Sequence, residues 1–147
     1  MKRLFSILFL LALALSACAP AATEAPARVP TQVPQPVAAK GLFQIIKADG
    51  TTFEVTLDTI KALPLAQITV DGKVQEGPKL LDILALAGVT DFTEVTFTGS
   101  SAPNTLTYEQ VADSAILDFS NRGTMKLATT YIPKAEWTKD ITQITVK

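Results

Sequence analysis

Apolar residues recur at helical spacing through Leu80, Leu81, Leu84 and Ala87, while Ile83 and Leu86 widen the face and leave Lys79 and Asp82 as a narrow wet side. The pattern predicts a core helix of about three turns within residues 77–89, opened by Gly77-Pro78 and stopped at Gly88. A helix so apolar needs a sheet to cover it. Period-two alternation supplies the strands: 42–48 and 51–56 around an Asp49-Gly50 turn, with Phe53 and Val55 inward, then 66–70, turned at Asp71-Gly72 and continued briefly over 73–75. Further strands are expected at 93–98 (Val95 and Phe97 inward), 115–119, 125–132 ending at Pro133, and 141–146. Two short helices intervene, one capped by Asp58 with Ile60 and Leu63 inward, the other at 108–113 capped by Thr107. Residues 99–104 form a polar loop, Asn121-Arg122-Gly123 a turn, and 134–139 a loop carrying Trp137. Strands mixed with short helices give an α+β class built on a mixed β-sheet.

The first forty residues follow no such period. Lys2-Arg3, an apolar run over 4–17 and small residues thereafter make the charged, hydrophobic and cleavage regions of a secretory signal. The run is shorter than the roughly 20 residues that span a bilayer. Leu15-Ser16-Ala17-Cys18 has the form of a bacterial lipobox, in which the cysteine becomes the lipidated N-terminus. Ordinary cleavage fits Ala17-Cys18-Ala19 as well. Cys18 is the single cysteine of the chain and stands at the one position a lipobox requires, which favours acylation. Acyl chains contribute about 0.8 kcal/mol per buried CH₂, so membrane lipid would hold the protein through Cys18. Pro20, Pro26, Pro30, Pro34 and Pro36 then favour an extended spacer, at about 3.1 Å per residue. The organisation expected is a signal peptide over 1–17, lipidated Cys18 with a Pro-rich tether over 18–40, and a folded domain over 41–147. The place expected is the bacterial cell envelope, on the extracytoplasmic side of a membrane.

Composition removes several chemistries. Thirteen basic and fourteen acidic residues leave a net charge of −1 with signs interspersed, so nucleic acid is not a partner to expect. The chain has no histidine and 41–147 no thiol, which rules out Cys or His nucleophiles there and zinc or copper sites built on those ligands. Asp113 and Asp118 give no paired acid–base geometry. The residues left as ligand-contact candidates are few. Ser100 and Ser101 lie in the polar loop. Asn121 and Arg122 form a turn whose guanidinium suits a carboxylate or phosphate, although a left-handed turn alone explains Asn and Gly there. Trp137 with Lys134 could line a ligand edge, or plug the end of the sheet.

VTLDTIKALP (55–64), GPKLLDILALAGV (77–89), EVTFTGSSAP (94–103), AILDFSNRGT (115–124) and YIPKAEWTKDITQITV (131–146) follow one another in an order that resembles the molybdopterin-binding domain of the sulfite-oxidase family. That resemblance implies a sulfite-oxidase molybdopterin-binding-domain-like fold. It also implies a molybdenum ligated by a cysteine after the KALP-containing helix and its following strand, with Asn and Arg groups meeting the pterin. The corresponding segment here, QITVDGKVQEG (67–77), has neither cysteine nor arginine, and Asp71 in a turn is its nearest polar substitute. The expectation is therefore no cofactor and no metal: a non-catalytic binding or interaction module with an unidentified protein or small-molecule partner. The alternative is an accessory subunit of a molybdopterin-dependent oxidoreductase that still docks the cofactor.

Overall fold

A computed structural model describes residues 41–147; the signal, Cys18 and the tether lie outside the described residues. Phe43 and Ile45 of β1 (Gly41–Ile46) and Val55 of β2 (Thr52–Thr56) turn inward and are buried, as their alternation requires. At the turn between these strands Asp49 accepts from the Thr51 amide at 2.8 Å and the Thr51 hydroxyl at 2.6 Å. Helix α1 (Leu57–Lys61) is capped by Thr56, two residues earlier than the Asp58 expected from sequence. Thr56 Oγ1 accepts from the Thr59 amide and Thr59 Oγ1 accepts from the Thr56 amide, at 3.3 and 3.1 Å. This reciprocal pair satisfies two donors at once, and leaves Asp58 to complement the helix dipole from the first turn.

The largest departure comes next. Gly77 and Pro78 end a strand instead of opening the central helix. Strands β3 (Leu65–Val70) and β4 (Lys73–Pro78) pair antiparallel in full register around Asp71 and Gly72, both left-handed. Gly77 is required by a close approach: a Cβ there would collide with the carbonyl oxygen of Leu117. Helix α2 (Leu80–Leu86) has only two turns and starts from Lys79 without a side-chain cap. Leu80, Ile83 and Leu84 are fully buried, but Leu86 is 40% exposed, so the apolar face is narrower than its composition suggested. Gly88 ends the helix left-handed, as expected.

Strand β5 (Glu94–Thr98) pairs with β6 (Asn104–Thr107), a strand not expected between the polar loop and the Thr107 cap. Thr107 caps α3 (Tyr108–Ser114) in a second capping box with Gln110. Strands β7 (Ile116–Phe119) and β8 (Met125–Ala128) form a hairpin, and β8 stops four residues short of the expected end. There Thr129 is buried and its hydroxyl accepts from the Tyr131 amide at 3.3 Å, which bends the chain away. A short 3₁₀ turn over Lys134–Glu136 leads to β9 (Gln143–Val146).

The main sheet runs β2-β1-β9-β5-β6, with β9 parallel to β1 and antiparallel to β5. Hairpins β3-β4 and β7-β8 are separate two-stranded sheets, joined by the Lys79–Ile116 bridge. One core gathers Leu84 of α2 with Phe97 and Ile144 of the five-stranded sheet and Leu127 of β8. A smaller one gathers Ile116, Ala128 and Trp137 under β3.

Candidate functional site

Three connections meet at one end of the domain: the loop after β5, the β7-β8 turn, and the run from Trp137 into β9. Gly99 allows the first to touch the third, because a Cβ would strike the carbonyls of Lys139 and Asp140. The Ser100 amide donates to the Lys139 carbonyl at 2.8 Å. Ser101 Oγ accepts from the Lys139 amide at 2.9 Å and donates to the Trp137 carbonyl at 3.1 Å. Asn104 Nδ2 adds bonds to the Glu136 carbonyl and Thr138 Oγ1, at 2.8 and 2.9 Å. The β7-β8 turn is tied internally, since Ser120 Oγ accepts from the amides of Arg122 and Thr124 at 3.3 and 3.2 Å.

Asp140 joins these pieces. Its backbone is left-handed, with φ of 47°, a conformation uncommon outside glycine that aspartate tolerates better than most residues. Its carboxylate accepts from Thr124 Oγ1 at 2.6 Å, from Ser100 Oγ at 2.7 Å and from Arg122 Nη1 at 3.3 Å. The hydroxyls of Thr124 and Ser100, then the charge of Arg122, hold this carboxyl below its ordinary pKa. At neutral pH it is an acceptor and a weak base. The chain has no histidine, and the Ser100 hydroxyl donates to the Asp140 carboxylate at 2.7 Å.

Beside Asp140 lies a hollow of about 200 Å³ lined by Ser120, Asn121, Arg122, Lys126, Lys139 and Asp140. Lys126 Nζ stands 3.0 Å from Asp118 Oδ2 and donates to Gln75 Oε1 at 3.2 Å. Arg122 is 81% exposed along its side chain. The structure thus brings Ser100, Ser101, Asn121 and Arg122 into one cluster. The Trp137 backbone meets the cluster through Ser101, but its indole and the Lys134 ammonium do not line the hollow. Trp137 is 1% exposed, donates Nε1–H to the Ile132 carbonyl at 2.9 Å, and has the Lys134 ammonium 5.6 Å from its ring. That is the packing alternative for Trp137, not the ligand edge. Sequence reasoning missed Asp140, Thr124 and Lys126, whose meeting depends on the register of β7, β8 and β9. A larger hollow of about 780 Å³ beside β5 and β6 is lined by Phe92, Tyr108 and the carboxylates of Asp91, Glu94 and Glu109, and holds none of the predicted residues.

The donor set does not fit thiolate-held molybdenum. Where the resemblance implies the cysteine, the chain has the β3-β4 hairpin, with exposed Asp71 at its tip. Among the described residues no three His, Cys, Asp or Glu side chains are grouped to hold a metal ion.

No family's sequence profile matches the chain, and neither does any curated protein. Among solved structures it is similar to the sulfane dehydrogenase SoxCD from Paracoccus pantotrophus, with a TM-score of 0.56 and 16% identity. The match covers 71% of this chain and 37% of that one, so this chain spans little more than a third of that protein's length. At such identity the likeness is one of fold. The domain has the α+β, sulfite-oxidase molybdopterin-binding-domain-like fold that the order of its segments implied.

Proposed function

We propose that this protein is an extracytoplasmic lipoprotein, anchored in a membrane through acylated Cys18, whose domain is a non-catalytic binding module. The observation that carries the binding reading is the convergence of Arg122, Asn121, Ser100 and Ser101 around Asp140, with cationic donors facing a hollow. The lipobox and the single cysteine support the anchor. Expression in a bacterial host followed by fractionation tests it: the wild type stays with membranes and Cys18→Ser moves to the soluble fraction. An intact mass showing an unmodified N-terminus at Ala19 or Pro20 overturns the anchor. The second reading, an accessory subunit that docks molybdopterin, is favoured by the shared fold alone. Stoichiometric pterin in protein purified from a cofactor-producing host would establish it in place of the first.

A further inference from the structure

We propose that the hollow between Arg122, Lys126 and Lys139 is a binding site for a phosphate-type oxyanion, either the phosphodiester of a lipid headgroup or a free phosphate. This rests on the binding-module reading and names the ligand that the module takes.

The argument is one of donors left over. Arg122 presents five N–H groups in a fixed fork and uses one of them, singly, on Asp140. Lys126 has three donors, of which Asp118 and Gln75 take two. Lys139 is exposed and forms no ion pair among the described residues. Its backbone is nevertheless fixed on both sides, by the Ser100 amide to its carbonyl and by its own amide to Ser101. The three cations face Asp118 and Asp140, so one positive charge is left uncompensated around the hollow. A phosphate oxyanion supplies that charge and offers several acceptor oxygens to a fork and two ammonium groups, the pairing that forms the stronger charge-assisted bonds. Asn121 on the same rim adds a neutral amide.

The arrangement is also preorganised. Asp140 holds the turn that carries Arg122 through Thr124, and holds the loop that fixes Lys139 through Ser100. A surface cation pair without such ties contributes little, because ordering long side chains offsets the attraction. Here the backbone beneath two of the three cations is already ordered. The site remains open to solvent, so binding is weak and falls as salt rises.

The test uses the full mature protein in a maltoside detergent, which carries no phosphate, and follows the amide resonances of residues 120–124 and the Arg122 side chain by NMR. Inorganic phosphate should shift them saturably. In Arg122→Ala/Lys139→Ala the apparent affinity should fall about tenfold or more, while Lys61→Ala, which removes one exposed charge on α1, should leave it unchanged. All three residues are exposed, so each variant is expected to fold, and an unchanged melting midpoint verifies it. Equal responses in wild type and the double variant, or an equal loss in Lys61→Ala, would overturn the site. A second arm places the protein in phosphatidylglycerol nanodiscs and compares it with the maltoside micelles. Resonances already shifted and insensitive to phosphate in the nanodiscs assign the headgroup as ligand; a phosphate response of the same size in nanodiscs and micelles assigns the free anion. Failure of the anchor reading shows separately, as an unmodified N-terminus that does not enter nanodiscs.

Discussion

Asp140 Oδ2 lies 2.7 Å from Ser100 Oγ across forty residues of sequence, and this bond holds the loop after β5 to the entry of β9. The same carboxylate reaches Thr124 in the β7-β8 turn, so one side chain ties three connections together.

Replacing Asp140 should therefore loosen all three connections at once. Asp140→Ala loses the acceptor and puts an alanine at φ of 47°, where its Cβ is strained. Asp140→Asn keeps a carbonyl acceptor and a residue that tolerates the left-handed region. The melting midpoint should fall in both, further in the alanine variant, and hydrogen exchange at the Ser100 and Thr124 amides should quicken.

The same group sets part of the acid limb of stability. Its folded pKa lies below the ordinary 3.8, so the folded state holds its proton less readily than the unfolded chain does. The stabilisation is complete above that value and is lost as pH falls from 3.8 through the lower folded pKa. The gap in melting midpoint between wild type and Asp140→Asn should accordingly be constant near neutrality and close below pH 3.8. Asp49 and Glu109, held down by their own local hydrogen bonds, act on the same limb and cancel in the difference.

Leu84 and Leu86 lie on the same helix with different fates. Leu84 is fully buried, and Leu84→Ala should cost about 2–5 kcal/mol in urea unfolding. Leu86→Ala, at a site 40% exposed, should cost less than about 1 kcal/mol. Similar losses at the two positions would mean that the helix is rotated about its axis relative to the core.

Gly77→Ala drives a methyl group into the Leu117 carbonyl, a backbone atom with little room to move. Unfolding should show a loss of about 1–3 kcal/mol, the range for overpacking. A neutral effect would show that β4 and β7 are further apart.

Trp137→Ala should cost about 3–5 kcal/mol as a buried aromatic is removed. Trp137→Phe keeps the ring but strands the Ile132 carbonyl, at about 1–3 kcal/mol. Neither should change the phosphate response of the folded protein, because the indole points away from the hollow into the smaller core.

The sequence made the strands of the main sheet legible wherever one face is buried and the other wet, as with Val95 and Phe97 in β5 or Phe43 and Ile45 in β1. It was misleading at Gly77-Pro78, because a glycine needed for strand contact and a glycine before a helix look the same in one dimension. It was silent on β6, whose Asn104-Thr105-Leu106-Thr107 turns a single apolar side chain inward. At the candidate site, Arg122 and Ser100 stood out as residues with chemistry to offer. Asp140 did not, since its role comes from three partners that only the pairing of β5, β7, β8 and β9 brings within reach.

The position of β9 bears on how the chain reaches this state. It is the last strand along the described chain, yet it sits at the centre of the sheet, between β1 and β5. Until residues 143–146 have left the ribosome, β1-β2 and β5-β6 are two hairpins with no strand between them, and a lone hairpin is marginal in water. Loop-closure entropy for the β1-β9 pairing, spanning nearly the whole domain, is met only at the end. The two hairpins therefore become one sheet only when β9 enters between β1 and β5, so the pairing of the whole sheet depends on the last strand described.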